Sequence, residues 1–424
     1  MPAMNPPVLL VPDKFHWILG AIAKAIVRNN LGFEFLFSTR ADVREHPAFV
    51  SALAEGSDIV HWILDLEFYD SLPPGLRDHP AQLASVHHVL DWERARKCLS
   101  ANRIHVVSTE WRDYLVERGA DERRIAVVPN GVDTDRFTDR LSRAAARRSF
   151  RVPETAFVVG FFGSAHPPSR PRKGVDLFIE AMARLSAKIP ELLVFVTGQA
   201  WALDIATLSA AGVRVFHPGF LPSRQLPAAY RTLDVFVVAS SIEGGPMTAF
   251  EALACGVPVV STRVGMVKDW LEDGTHVLSV EVGQADSVVH AVQQVRDDSA
   301  GAAARTAAGQ ALIRARLKWS DVAPGYGRVY REVLEERSRP RLVSKPRRWY
   351  ERQRRAALRE DTARLMEQEI VGKHYLRAGE ILIRDGEGLT GRLGAAGRVV
   401  RRRCARRLLH IARSVRKFAR LAAL

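Results

Sequence analysis

The stretch DVFVVASSIEGGPMTAFEALACGVPVVST, residues 234–262, decides the fold. A β-branched apolar run at 234–240 leads into a glycine-rich loop. A helical pattern over 246–255 and a second β-rich run at 258–262 follow. A strand, a helix and a second strand in this order predict a parallel β-α-β unit. Ligands of such sheets bind beyond the carboxyl ends of the strands, so the loop between strand and helix is a predicted ligand site.

The same alternation runs through two separate stretches of the chain. Strand candidates in the first stretch lie at 7–12, 33–38, 58–63, 83–89, 104–109 and 125–129. Those in the second lie at 156–163, 192–198, 213–219, 234–240 and 258–262. We therefore predict an α/β fold with two Rossmann-like, doubly wound domains that face a cleft. The predicted parts are an N-terminal domain at 1–137, a linker or short solvated helix at 138–152, a C-terminal domain at 153–318, a helix at 319–340 that packs back toward the N-terminal domain, and a basic, partly amphipathic helical extension at 341–424.

Composition excludes several classes of protein. With 47% hydrophobic and 26% charged residues, the 424-residue chain is neither disordered nor a membrane bundle. We find no signal peptide and no apolar run near 20 residues. The three cysteines, at 98, 255 and 404, are scattered, which fits a reducing compartment and gives no metal-ligand spacing. These features predict a cytoplasmic protein.

The charge is divided unevenly along the chain. Residues 341–424 hold 23 of the 62 lysines and arginines but 8 of the 47 acidic residues, so they carry the whole net charge of +15. Within 397–424, apolar residues recur every three or four positions among many arginines. This pattern predicts a basic amphipathic helix that lies on an anionic membrane, on the inner face of the plasma membrane. A helix docked on its own domain or on a partner is the alternative; nucleic acid binding is a weaker one.

The loop after residue 240 has the residues that a ligand with phosphate and hydroxyl groups needs. Gly244 and Gly245 let the backbone approach a ligand, and Pro246 suits the first turn of a helix whose N–H groups attract phosphate. The carboxylates of Glu243 and Glu251 can accept hydrogen bonds from hydroxyl groups. The plainer interpretation is that Glu243 only caps the helix and that Glu251 is a solvated residue on it.

These motifs resemble glycosyltransferase family 4, the group 1 retaining glycosyltransferases of GT-B fold. The resemblance rests on EGGPMTAFEALACGVPVVSTRVGMVKDWLEDG (243–274), with supporting segments at 104–137, 174–185 and 319–334. It implies that Glu243 contacts the donor sugar, that Glu251 contacts the nucleotide ribose and that Lys173 binds the diphosphate. The other residues predicted to bind the donor are Gly244, Gly245, Pro246, Met247, Thr248 and Arg172.

The sequence lacks one positively charged residue that most members of the family have. Most members have an arginine where this chain has Ser164, and Arg170 or Arg172 could replace it. Family members often have a histidine near the sugar; here His87 or His88 fits, and we assign the catalytic role to His87. No metal-binding D-x-D string follows a strand, so we expect neither a metal nor another cofactor.

The resemblance implies transfer from a UDP- or GDP-sugar to an acceptor hydroxyl with retention of configuration, in cell-surface glycan or glycolipid synthesis. A donor phosphate oxygen would take the acceptor proton on the front face; double displacement through Glu243 is the alternative mechanism. The alternative function is a GT-B scaffold that has lost turnover and is tethered to the membrane by its basic tail. The missing arginine at Ser164 favours the scaffold, whereas Glu243, Glu251 and Lys173 together favour the enzyme.

Overall fold

The computed structural model describes residues 5–14, 17–29, 31–64, 72 and 74–336. The extension predicted at 341–424, with its amphipathic segment at 397–424, lies outside the described residues. Within the described ranges, no helix is both long enough and apolar enough to cross a bilayer. The strands form two six-stranded sheets, and all the paired strands run parallel.

The first sheet has the order β2-β1-β3-β4-β5-β6. Its strands are β1 (Pro7–Pro12), β2 (Glu34–Phe37), β3 (Ile59–Ile63), β4 (Gln82–Val86), β5 (Arg103–Val106) and β6 (Ile125–Val127). The helices that connect them are α1 (Ile18–Arg28), α2 (Arg40–Glu45), α3 (Pro47–Glu55), α4 (Pro74–Arg77), α5 (Trp92–Ala95) and α6 (Thr109–Val116). Every residue of β3 and β4 is buried, as expected for strands covered by helices on both faces. We call this part the first lobe.

The second sheet has the order β12-β11-β10-β7-β8-β9. Its strands are β7 (Phe157–Phe162), β8 (Leu192–Thr197), β9 (Arg214–Phe216), β10 (Val235–Val238), β11 (Val259–Thr262) and β12 (Leu278–Val280). Its helices are α7 (Arg143–Phe150), α8 (Arg170–Lys173), α9 (Val175–Ser186), α10 (Ala202–Ala210), α11 (Leu226–Arg231), α12 (Met247–Ala254), α13 (Met266–Trp270), α14 (Ala285–Asp297) and α15 (Ser299–Arg316). We call this part the second lobe; the two sheets confirm the predicted fold class.

Helix α7 lies in the segment predicted as a linker or a short solvated helix; one face of it is exposed and the other is buried. It packs against α11, and its Arg147 is buried. The guanidinium of Arg147 donates to the carboxylate of Asp234 at 2.6 Å and to the carbonyl oxygen of Thr232 at 3.0 Å. Sequence composition could not show this, because the arginine finds its carboxylate 87 positions away. The domain boundaries themselves stay a prediction.

The last described helix, α16 (Trp319–Glu336), contacts α1, β3 and β4 of the first lobe. Tyr326 and Tyr330 are fully buried there. At its end, Glu336 forms an ion pair with Arg103. A helix that follows the whole second lobe in sequence therefore completes the core of the first lobe.

Candidate functional site

Glu243 is held by two cations. It follows β10, and its side chain is buried. One carboxylate oxygen lies 3.0 Å from Lys173 Nζ, and the other lies 2.8 Å from Arg172 Nη1. Gly174 allows this approach because its φ is +65° and a Cβ there would lie 2.0 Å from the carbonyl oxygen of Ala239. The glycine after α8 thus brings both cations against the end of β10.

The two cations keep Glu243 ionised. Burial alone would raise the pKa of Glu243, but the charges of Lys173 and Arg172 outweigh burial, and the pKa lies below its ordinary value. At neutral pH the three side chains carry one net positive charge. That arrangement attracts an anion, while the carboxylate remains a hydrogen-bond acceptor.

The structure distinguishes between the two arginines that could replace the family cation. The guanidinium of Arg170 is paired with the carboxylates of Asp176 and Asp204. Arg172 instead reaches Glu243 and also donates to the carbonyl oxygen of Ile242 at 3.2 Å. Arg172 is therefore the arginine that stands in the candidate site.

A small cavity lies beside these groups at the start of α12. Its volume is about 20 Å³, which is room for a water molecule but not for a sugar. Phe161, Phe162, Phe236, Val237 and Val238 form its apolar wall, and the residues that line the rest are Lys173, Ser240, Glu243, Pro246 and Thr248. Four of the predicted donor-binding residues, Lys173, Glu243, Pro246 and Thr248, thus meet at one point.

The other predicted residues of the glycine-rich loop are tightly packed. A Cβ on Gly245 would lie 2.5 Å from Met266 Sδ, and Met247 is buried at the first position of α12. Gly244 rests on the first lobe, since a Cβ there would lie 1.8 Å from the carbonyl oxygen of His87. A larger residue at Gly244 would require the backbone to move, whereas one at Gly245 would require the Met266 side chain to move.

Glu251 lies on α12 with a different partner. Tyr230, which is buried on α11, donates a hydrogen bond from its hydroxyl to the Glu251 carboxylate at 2.9 Å. Burial raises the pKa of Glu251 to about 7 despite this bond. Glu251 is therefore the glutamate whose charge changes near neutral pH. The role of Tyr230 was missed at the sequence level because nothing local links the two helices.

His87 and His88 follow β4, which ends at Val86. The strand was predicted to include both, so strand alternation cannot decide between them. Burial and then the charge of Arg172 lower the pKa of His88 to about 4, while Glu243 acts in the opposite direction. Burial and then His105 and His88 lower the pKa of His87 to about 3. His88 thus shares the electric field of the Glu243 cluster, and the catalytic role of His87 stays a prediction.

Contacts between the lobes form a part of the site that the sequence did not indicate. At the start of α6, the backbone N–H of Thr109 donates to the Asp269 carboxylate at 2.7 Å. The next residue, Glu110, accepts the backbone N–H of Gly265 at 2.5 Å. In the PNGVD segment, the backbone N–H of Asn130 points at Met266 Sδ at 3.3 Å.

The third residue of this turn reaches the candidate site directly. The indole N–H of Trp111 donates to the carbonyl oxygen of Glu243 at 2.9 Å. A sequence signal for this bond does not exist, since its acceptor is a backbone atom 132 positions away.

The predicted absence of a metal is not tested by these geometries. Across the described ranges, no group of three or more His, Cys, Asp or Glu residues is arranged to hold an ion. Asp133, in the DTD string, forms an ion pair with Arg136 within the turn.

Two protein-family models match the chain. "Glycosyltransferase Family 4" matches residues 32–136, and "Glycosyl transferases group 1" matches residues 142–311. The first match lies in the first lobe and the second spans the second lobe. Together the two models cover most of the described residues.

Curated relatives give the same family. A D-inositol 3-phosphate glycosyltransferase of Geodermatophilus obscurus is 37% identical over 54% of this chain and 51% of its own length. A GDP-mannose-dependent alpha-(1-6)-phosphatidylinositol monomannoside mannosyltransferase of Mycolicibacterium smegmatis is 29% identical over 56% of this chain and 66% of its own length. The chain spans about half the length of the first relatives it matches.

Solved structures share the fold. Anabaena HepE, crystallised with UDP and glucose, has a TM-score of 0.66 to this chain at 16% identity. The match covers 77% of this chain and all of the HepE chain. This likeness establishes the two-lobed GT-B architecture.

Proposed function

Because the chain belongs to the group 1 glycosyltransferases, we propose that it transfers a sugar from a nucleotide-sugar donor to an acceptor hydroxyl. The observation that carries the proposal is the contact of Glu243 with Lys173 and Arg172 beside the start of α12. Each cation lies within hydrogen-bond distance of the carboxylate, and we assign the carboxylate to the sugar hydroxyls and the cations to the diphosphate.

The cations serve the leaving group. As the glycosidic bond breaks, the departing diphosphate gains negative charge, and a fixed cation stabilises that state more than the bound donor. Lys173 and Arg172 supply this charge, and the first N–H groups of α12 add the positive end of a helix dipole. One such contact contributes about 3–4 kcal/mol to transition-state stabilisation. Most family members have an arginine at the position of Ser164, and here Arg172 supplies that positive charge instead. This argues against an inactive scaffold.

We propose retention of configuration by a front-face route. Two cations neutralise the Glu243 carboxylate, which makes it a poorer nucleophile and disfavours a covalent glycosyl adduct. In the front-face route a donor phosphate oxygen accepts the proton of the acceptor hydroxyl, and the protein contributes positioning and electrostatics. A glycosyl adduct trapped on Glu243 would instead show double displacement.

The named relatives suggest the substrate classes. HepE was crystallised with UDP and glucose, and the Mycolicibacterium relative is named for GDP-mannose and a phosphatidylinositol mannoside. We propose a UDP- or GDP-sugar as donor and a glycan or lipid-linked sugar as acceptor, in cell-surface glycan or glycolipid synthesis at the cytoplasmic membrane face. With two cations in the site, we propose that no metal is required.

Nucleotide release from a panel of UDP- and GDP-sugars, with and without EDTA, tests this function. We expect the wild type to release one nucleotide selectively and EDTA to have no effect. Glu243→Ala should lower turnover by about 100-fold or more, the size typical for one electrostatic contact of this kind. The exposed Glu281 of the same lobe provides the control, and Glu281→Ala should behave as wild type.

Two outcomes would contradict the proposal. Turnover that persists in Glu243→Ala would remove Glu243 from the reaction. Nucleotide binding by the wild type without turnover of any donor, with a range of acceptors present, would support the tethered scaffold instead.

A further inference from the structure

The first lobe sets the position of the loop that carries Glu243. Gly244 lies so close to the His87 carbonyl oxygen that a Cβ would be 1.8 Å from it. On the other side of the loop lies Gly265, whose φ is +52°. A Cβ on Gly265 would be 1.9 Å from the carbonyl oxygen of Gly244. The loop is therefore clamped between backbone atoms of the two lobes, where only glycine fits.

Trp111 is the side chain of the first lobe that holds Glu243 itself. Its ring is 6% exposed and packs against Tyr114 at a centroid distance of 5.2 Å, so the indole N–H points in a fixed direction. That N–H donates to the Glu243 carbonyl oxygen at 2.9 Å. Lys173 and Arg172, which hold the carboxylate end of Glu243, belong to the second lobe and move with it.

We propose that Trp111 is a positioning residue for Glu243, which completes the donor-sugar site through this hydrogen bond when the lobes close. The inference rests on the proposed glycosyl transfer. If the lobes part, the Glu243 carbonyl loses its donor and the loop loses contact with His87, while both cations remain beside Glu243. Nucleotide binding, which needs only the second lobe, should therefore not depend on Trp111, whereas sugar transfer should.

Trp111→Phe tests the role in catalysis, because it keeps an aromatic ring and removes the N–H. We expect kcat with the donor identified by the panel to fall about threefold to tenfold, the effect of one neutral hydrogen bond. The Kd for UDP or GDP should stay unchanged. Trp92 also packs on Tyr114, at a centroid distance of 6.2 Å, so Trp92→Phe is the matched control and should keep the wild-type kcat.

Hydrogen–deuterium exchange of the full chain tests the same proposal without a donor. In Trp111→Phe we expect faster exchange of the amide of Met247, which donates to the carbonyl oxygen of Gly245 at 2.7 Å. The amides of Thr109 and Gly265, bound to Asp269 and Glu110, should remain protected because the lobes stay together. Gly244→Ala should instead wedge the lobes apart and expose both of those amides.

The outcomes separate this proposal from the proposed function. A wild type that turns over no donor contradicts glycosyl transfer, and the exchange experiment still decides whether Trp111 holds the loop. Unchanged exchange of the Met247 amide in Trp111→Phe would overturn the positioning role. Loss of protection at Thr109 and Gly265 in that variant would show a general role in lobe packing instead, and would also overturn it. A kcat of Trp111→Phe equal to that of the wild type would likewise overturn the positioning role.

Discussion

Burial and an opposing hydrogen bond from Tyr230 set the charge of the second glutamate, Glu251. The Tyr230 hydroxyl donates to Glu251, whose pKa burial raises to about 7, so the carboxylate is half protonated near neutral pH. A ribose hydroxyl donates to the ionised form and finds a poorer acceptor in the protonated one. If Glu251 binds the ribose as we propose, nucleotide affinity should rise as the pH increases through 7.

Removal of the Tyr230 hydroxyl should move this pH dependence. Tyr230→Phe deletes a bond that favours the ionised form, so the pKa of Glu251 should rise further. We expect the Kd for UDP or GDP, measured by calorimetry, to be about threefold to tenfold weaker at pH 7 and to recover by pH 9. Glu251→Gln is the control and should give a flat profile. A parallel drop at every pH would contradict the pKa argument.

At the level of single residues, the sequence indicates types of chemistry better than partners. Glu243 and Thr248 were predicted to bind a ligand because a strand end, a glycine loop and a helix start are local features, whereas Lys173 was identified through the family resemblance; their roles stay predictions. Arg170 and Arg172 could not be separated, because the carboxylate of Asp204, which engages Arg170, lies 34 positions away. Tyr230 and Trp111 have apolar rings that read as core residues, and their polar atoms acquire roles only through tertiary packing.

Helix α16 is anchored to the first sheet by a buried chain of hydrogen bonds. His105 Nε2 faces the carbonyl oxygen of Val128 at 2.8 Å and must donate, so His105 Nδ1 accepts from the Ser85 hydroxyl at 2.8 Å. Ser85 in turn accepts from His61 Nε2, and His61 Nδ1 accepts from the Tyr330 hydroxyl, both at 2.8 Å. One direction of donation thus satisfies every group with both histidines neutral.

This buried series of hydrogen bonds predicts that the protein loses stability in mild acid. Burial lowers the pKa of His61 well below its ordinary value and that of His105 to about 4, and the neighbouring His87 is lowered to about 3. Neutral forms are favoured in the fold, whereas the unfolded chain takes up protons below about pH 6.5. The contribution of these histidines to the free energy of unfolding is therefore complete above about pH 6.5. It is lost as the pH falls, by about 1.4 kcal/mol per histidine per pH unit.

Urea unfolding at pH 8, 6 and 5 measures this effect. We expect the free energy of unfolding to decrease more steeply below pH 6.5 for the wild type than for His105→Gln, which has one fewer group to titrate. Tyr330→Phe should lower stability by about 1–3 kcal/mol at every pH without changing the slope, since it leaves His61 Nδ1 without its donor. Equal slopes for wild type and His105→Gln would contradict the argument.

At the level of elements, the period and the length of an apolar run decide which strands and helices can be predicted. Eleven strands were found from runs of β-branched residues, and the structure confirms each of them. The strand β12 was missed although Leu278–Val280 shows the alternation of a strand, with Leu278 and Val280 buried on either side of Ser279. The segment of helix α7 was predicted as a linker or a short solvated helix because it is rich in alanine and arginine, and its buried face is visible only once Asp234 is placed beside Arg147.

At the scale of the whole molecule, the division of charge predicts separate tasks for separate segments. The first 340 residues are neutral, and the net charge of +15 belongs to 341–424. Basic residues near an anionic bilayer contribute about 1 kcal/mol each, and salt screens them. A chain that ends at residue 340 should therefore bind nucleotide as the full chain does but lose its affinity for anionic vesicles.

Vesicle flotation with the full and shortened chains makes this measurement. We expect the full chain to float with phosphatidylserine vesicles, to detach at high salt and to ignore phosphatidylcholine vesicles. The shortened chain should remain in the soluble fraction in each case. Salt-sensitive binding of the tail to DNA, without affinity for anionic vesicles, would favour the nucleic-acid alternative.

The return of α16 to the first lobe has a consequence for synthesis on the ribosome. The last strand of the first sheet ends at Val127, and the helix that covers this sheet begins at Trp319. At about 5–20 residues per second, roughly 10–40 s pass between the two. During that interval His61 and Phe33 lack their partner Tyr330, so the nascent chain presents an unfinished apolar face that a ribosome-associated chaperone could recognise.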